Sequence, residues 1–193
     1  MSGHGIGKRV YVTNESKACE LPAQDLAKVS DEHVRLSLEL QQAFGLRRDE
    51  CLKRQPGYAD RGDTLVLKGS WTKGGKPREV PLRTASQRAV LNRAHALAGN
   101  GSMIPKERSY AQHVKIYERQ TAEAGLTKMH GLRHAYAQRR YEELAGWKSP
   151  KEGGPIRRAL TAEQKRVDLM VRLAISKELD HEREGITAVY LGR

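Results

Sequence analysis

Residues 126–146 read LTKMHGLRHAYAQRRYEELAG. The spacing predicts a helix over about 131–145, ended by Gly146 and followed by the turn-rich GWKSPKEGGP of 146–155. Three ionisable side chains, His130, Arg133 and His134, crowd its first turn. His130 and His134 stand four apart on one helix face, a spacing that also suits two metal ligands. The helical zinc-protease pattern, however, puts glutamate where Gly131 stands, and Arg133 would hold a fixed cation against the ion. No metal is therefore expected, and His134 is assigned to packing or hydrogen bonding. Tyr136 and Tyr141 read as packing tyrosines of the same helix.

Working outward, Thr161-Ala-Glu-Gln164 is a capping box that opens a helix to about 179, with Val167, Met170, Val171 and Ala174 inward. The chain then runs DHEREGITAVYLGR over 180–193. Toward the N-terminus, a helix over about 107–124 carries Tyr110 and Tyr117 on one core-facing side. Thr84-Ala-Ser-Gln87 is a second capping box. It opens a helix with Val90, Leu91, Ala94, Leu97 and Ala98 on one face. TLVLKG (64–69) and REVPL (78–82) are short β-rich runs around the glycine-rich SWTKGGKP, which reads as an antiparallel hairpin. RRDECLK (47–53) is a short helix. SDEHVRLSLELQQAF (30–44) is ambiguous. Val34, Leu36, Leu38 and Leu40 alternate as in a strand, but Leu36, Leu40, Ala43 and Phe44 form a helical face, and the length favours helix. Residues 1–29 lack periodicity and read as an entry segment or linker. The fold class is mainly α with a small antiparallel β-hairpin, one α+β domain over 30–193.

Composition narrows the partner. Lys and Arg number 35 against 23 acids, a net charge of +12, and that field favours a polyanion. No run approaches the length of a membrane span, and the start MSGHGIGKRVYV has no secretory apolar core. Two cysteines, Cys19 and Cys51, cannot build a disulfide scaffold, so a reduced, cytoplasmic setting is expected. One ionisable set stands out: Arg47, Lys73, His130, Arg133, His181 and Tyr190. Arginines clamp phosphate oxygens with a fixed charge, a tyrosine can attack phosphorus, and a lysine or histidine can protonate the leaving oxygen.

These residues fall in boxes, in order, that resemble the catalytic domain of the tyrosine recombinases, or phage-type integrases. Gly45-Leu46-Arg47-Arg48-Asp49-Glu50 is similar to the family's G-L-R-x-x-E box. Lys73, followed by Gly74-Gly75-Lys76 and Val80-Pro81-Leu82, is similar to the catalytic-lysine hairpin. His130-Gly131-Leu132-Arg133-His134 matches H-x-L-R-H, Leu179-Asp180-His181 matches L-G-H with Asp180 for glycine, and Tyr190 follows His181 by nine residues. The resemblance implies the recombinase fold over 30–193 and metal-independent DNA strand cleavage and religation without a cofactor. Arg47, Arg133 and His181 would bind the scissile phosphate. Tyr190 would form a 3′-phosphotyrosyl bond, and Lys73 would protonate the 5′-hydroxyl. His130 would manage the tyrosine proton, with Glu50 ordering the site through His130. It further implies double-stranded DNA as partner, a four-protomer synapse, and a cytoplasmic, nucleoid-associated site of action.

The family's N-terminal core-binding domain is expected to be absent, since the first box arrives at residue 45. The loop 146–160 is longer than the family pattern and is expected on the surface. Arg139, Arg140, Arg157 and Arg158 are candidate DNA contacts. Other readings stay open. The chain could be a non-catalytic DNA-binding remnant, a type IB topoisomerase-like relaxing enzyme, or a structural basic protein of a ribonucleoprotein. Taken singly, Arg47 reads as a solvated arginine, Tyr190 as a packed tyrosine and His181 as a helix C-terminal cap.

Overall fold

The computed structural model describes residues 13–193. Its elements, in order, are α1 (Ala23–Leu26), α2 (Glu32–Phe44), α3 (Arg48–Lys53), α4 (Pro56–Ala59), β1 (Thr64–Leu67), β2 (Arg78–Pro81), α5 (Ala85–Ala98), α6 (Tyr110–Glu123), α7 (Gly131–Ala145), α8 (Ala162–Glu178) and α9 (Ala188–Leu191). Short 3₁₀ turns occupy Gly69–Trp71, Pro150–Glu152, Arg157–Ala159 and Glu184–Thr187.

The helix α2 organises the molecule. Asp31 caps it by accepting the Val34 N–H at 3.1 Å. Leu36, Leu40 and Phe44 enter one core cluster with the hairpin, α5, α7, α8 and α9. Val34 and Leu38 enter a second with Leu21, Val29, Leu52, Tyr117 and Leu132. Each i, i+4 row thus serves a different core, and two buried faces on one helix produce the strand-like alternation. At the far end Gly45 takes φ +64°, the left-handed turn that closes the helix. A side-chain carbon there would lie 2.5 Å from the Tyr136 ring, so only glycine lets α7 approach this turn.

The hairpin pairs Thr64 with Pro81, Leu65 with Val80 and Leu67 with Arg78. Leu65, Leu67 and Val80 point into the core. Pro81, which has no N–H to give, stands at the strand end. Both expected capping boxes are present, at Thr84–Gln87 and Thr161–Gln164. A third, at Ser109–Gln112, starts α6 later than the expected 107.

Three packing expectations are corrected. Met170 is 71% exposed. On α8 the inward stripe includes Asp168 and Arg172, which pair with each other at 2.8 Å, and Asp168 also accepts the Tyr141 hydroxyl at 2.6 Å. These polar contacts turn the helix so that Leu169, Met170 and Leu173 face out. Tyr110 is exposed beneath the Lys53 ammonium, 4.9 Å from its ring centre, whereas Tyr117 is buried. The loop 146–160 is not wholly superficial: Ser149, Pro150 and Lys151 are buried, and Lys151 Nζ donates to the Val189 carbonyl at 2.6 Å.

Candidate active site

Arg133 sits in the first turn of α7, fully buried, and its guanidinium ties three segments together. Nη1 donates to the Gly45 carbonyl at the α2 turn (2.8 Å), Nη2 to the Leu179 carbonyl closing α8, and Nε to the Tyr190 hydroxyl (3.2 Å). A guanidinium carries five N–H groups, so two remain for a ligand while all three of these bonds hold. Tyr190, in α9, is 5% exposed. Its hydroxyl also lies 3.4 Å from His181 Nε2. Its ring is packed among three imidazoles, with centroids 4.7 Å from His134, 6.0 Å from His181 and 6.2 Å from His130.

The short helix α9 is braced on several sides. Gln138 Nε2 donates to the Tyr190 carbonyl at 3.1 Å and to Ser16 Oγ at 3.0 Å. Lys151 holds the Val189 carbonyl, and Arg172 holds the Gly192 carbonyl at 2.9 Å. The segment before α1 crosses α7 at Gly131, where Cys19 N–H donates to the Gly131 carbonyl at 3.1 Å. A side-chain carbon on Gly131 would lie 2.6 Å from the Lys17 carbonyl oxygen, which explains glycine within the His130–His134 motif.

Arg47 opens α3, beside Arg133 in effect if not in contact. Glu50 reaches back to the Arg47 N–H at 2.7 Å and to its Nη1 at 3.2 Å, and it pairs with Arg78. Burial alone would raise the Glu50 pKa, but Arg78, Arg133 and Arg47 hold it below the usual carboxylate range. The Glu50 carboxylate bonds to Arg47 and Arg78; among the described contacts it makes none to His130, through which it was expected to act. The same Arg47 Nη1 meets Asp180 Oδ2 at 3.1 Å. Asp180 has φ +60°. That left-handed turn is one a glycine would take freely and aspartate tolerates better than most residues.

The histidines are held neutral. Burial pushes His181 down to about 4, with Arg133 and Arg47 adding to the effect. His130 is lowered by burial and by the same two arginines. His134 falls to about 4 through burial and the neighbouring His130 and lysines. Both arginines therefore act on both His130 and His181, so the four groups share one electropositive locale. Neutral imidazoles there donate or accept one hydrogen bond without adding charge.

Lys73 is exposed on the hairpin loop and lines a groove of about 670 Å³ with Arg47, Arg48, Lys53, Trp71 and His130. The groove and the Tyr190 cluster meet at His130, which lines the one and stands with its ring centre 6.2 Å from that of Tyr190 in the other. The remaining arginines divide. Arg140 is buried and paired with Glu178, whose carboxylate also accepts the Tyr136 hydroxyl at 2.8 Å. Arg140 Nη1 also pairs with the exposed Glu143 at 3.4 Å. Arg139 is exposed, bonded to Glu20 and the Gln42 carbonyl. Arg157 and Arg158 are exposed on the loop before α8. Sequence reading missed Arg78, Gln138 and Lys151. Arg78 faces inward next to the Lys73 loop, and an arginine at a buried strand position was a usable signal. Gln138 and Lys151 act through backbone carbonyls, which carry no sequence mark.

A small hairpin against a helical bundle, with arginines, histidines and a tyrosine gathered where the helix ends meet, defines the class, and the comparisons agree. The chain resembles a lambda integrase dimer bound to a COC′ core site (TM-score 0.56, 16% identity, 93% of this chain and 61% of that one). It resembles the Tn1549 transposon integrase in complex with circular intermediate DNA (0.53, 13%, 93% and 62%). It also resembles the XerH site-specific recombinase bound to a palindromic difH substrate (0.51, 21%, 93% and 49%). These likenesses establish the fold of tyrosine recombinase catalytic domains, and the chain spans about half to three-fifths of the structures it matches. A family model described as Integrase matches residues 7–139, which include Arg47, Lys73, His130 and Arg133. The chain belongs to the integrase family of tyrosine recombinases. No curated protein sequence matches it.

Proposed function

We propose that this chain is the catalytic unit of a site-specific DNA recombinase that breaks and rejoins strands through a phosphotyrosine. The observation that carries the reading is the Tyr190 hydroxyl held at 3.2 Å by Arg133 and 3.4 Å by His181, in the electropositive locale that also holds Arg47 and His130. A phosphodiester entering beside Tyr190 meets N–H donors aimed at its non-bridging oxygens. These stabilise the extra negative charge that develops at phosphorus, which is where most of the acceleration arises. The tyrosine oxygen bonds to phosphorus and the 5′-oxygen leaves. The phenolic proton passes to a neighbouring imidazole, His130 in the family pattern, with His181 the one already in hydrogen-bond reach. Lys73, on the exposed hairpin loop, delivers the proton to the 5′-oxygen. The 3′-phosphotyrosyl bond conserves the energy for religation, so no nucleotide, metal or cofactor is required. Double-stranded DNA is the partner, with self-assembly of protomers on it.

The test is covalent capture. Nicked duplexes are incubated with the protein in EDTA and run on a denaturing gel, with Tyr190→Phe alongside. A DNA adduct mapped to Tyr190, absent in Tyr190→Phe while duplex binding persists, is the expected result. Tight, salt-sensitive binding with no adduct would favour a DNA-binding module. Adduct formation that requires a divalent ion would overturn the metal-independent chemistry.

A further inference from the structure

One nitrogen of the Arg47 guanidinium, Nη1, is already occupied. Both partners of its Nη1 are carboxylates, Glu50 Oε1 at 3.2 Å and Asp180 Oδ2 at 3.1 Å. The two differ in kind. Glu50 is buried, shared with Arg78 and tied to the Arg47 backbone, so it is a fixture of the fold. Asp180 lies in a two-residue turn between α8 and His181, at φ +60°, and among the described residues its carboxylate bonds to Arg47 alone. Its carboxylate also faces the lysine-bearing loop: a side-chain carbon on Gly74 would lie 3.6 Å from Asp180 Oδ2. Two residues on, Glu182 pairs with Lys76 of the same loop. The acids on either side of His181 thus reach Arg47 and the hairpin tip, spanning the space beside the groove.

A carboxylate and a phosphate make the same demand on a guanidinium, two oxygens accepting charge-assisted bonds. We propose that Asp180 is a built-in counter-anion of Arg47, seated there in the DNA-free protein and displaced when a phosphodiester takes the arginine. This rests on Arg47 being a phosphate ligand, as proposed above. The consequence is a site that discriminates against weakly held phosphates. Only a ligand with enough further contacts to offset the lost Arg47–Asp180 pair occupies Arg47, and its arrival releases the turn that carries His181.

Three proteins test this: wild type, Asp180→Asn and Glu182→Gln. Asparagine keeps the side-chain size and tolerates the positive φ. Glu182→Gln removes the same charge two residues away from an exposed pair that does not involve Arg47. Each is titrated with inorganic phosphate by thermal shift and with a duplex oligonucleotide across a salt series. Asp180→Asn should bind both ligands about five-fold tighter, with the duplex salt dependence steeper by up to about one phosphate, while Glu182→Gln changes less than about two-fold. Equal gains in the two variants would reduce the effect to general field and overturn the proposal. Unchanged or weaker binding by Asp180→Asn would overturn it as well, making Asp180 a positioning residue for Arg47. If none of the three binds the duplex, the recombinase reading fails, and the phosphate titration alone still decides the role of Asp180.

Discussion

Arg133 is the residue on which the site depends. Its three bonds join the end of α2, the end of α8 and the hydroxyl of Tyr190, and the side chain is 1% exposed. Lysine offers a point charge in place of a planar fork and cannot reach all three acceptors. Arg133→Lys should therefore lose covalent adduct formation and also destabilise the fold by about 2–4 kcal/mol, because buried carbonyls are left unpaired. Urea unfolding followed beside adduct yield checks both, and a variant of full stability would show that the clamp is not structural. The imidazoles give a second residue-level expectation. His134 and His181 are drawn from 6.5 to about 4 in the folded protein. Between those values the unfolded chain holds more protons than the folded one, so stability falls as pH drops through that window and is flat above it. Urea midpoints measured from pH 7.5 to 4.5 should decline. His134→Phe, which keeps an aromatic ring against Tyr190, should flatten the slope.

At the scale of elements, the helices and hairpin were legible because their signals are local. Capping boxes, the glycine stops and the paired β-runs each announce themselves within a few residues. Met170 was assigned by helical periodicity and the loop 146–160 by its length, yet α8 buries Asp168 and Arg172, and the loop buries Lys151, because these polar groups complete contacts with other segments. Such pairing is invisible to a periodicity reading. The candidate site was legible as residue types in order, while the contacts among them were not. Glu50 turns to Arg47 and Arg78 since two cations outcompete a neutral imidazole for a buried carboxylate. The α2–α3 junction is the most exacting element. Gly45→Ala would force a Cβ into the Tyr136 ring and strain a left-handed turn whose carbonyl Arg133 holds. A loss of about 2–3 kcal/mol is expected by chemical denaturation, above the ~1 kcal/mol of the turn strain alone. A loss of only the turn-strain amount would mean that α7 shifts freely away.

At the scale of the whole molecule, the question is where the charge of +12 resides. Arg54, Arg78, Arg133, Arg140 and Arg172 are buried, and so are the carboxylates Glu50, Asp168 and Glu178. With Lys151 buried as well, the described interior holds six cations against three carboxylates, an excess of three positive charges that pairs such as Arg172–Asp168 and Arg140–Glu178 only partly offset, and most of the net charge lies outside it. There it is partly organised: Arg47, Arg48, Lys53 and Lys73 line one groove beside the Tyr190 cluster. A duplex lying along that groove would displace counterions from its phosphates, so affinity should fall linearly in log salt. If about six phosphates are engaged, binding weakens by about a thousand-fold between 50 and 200 mM salt. Because phosphate contacts carry little sequence information, the slope should be nearly the same for unrelated duplexes, while the amount of covalent adduct should not. Fluorescence anisotropy across that salt range, with two unrelated duplexes and adduct yield scored in parallel, separates the two quantities. A shallow slope would place the binding energy elsewhere than the groove cations. A steep slope common to all duplexes, with adduct on one alone, would locate sequence choice in the chemistry at Tyr190 and not in the approach of DNA to the basic surface.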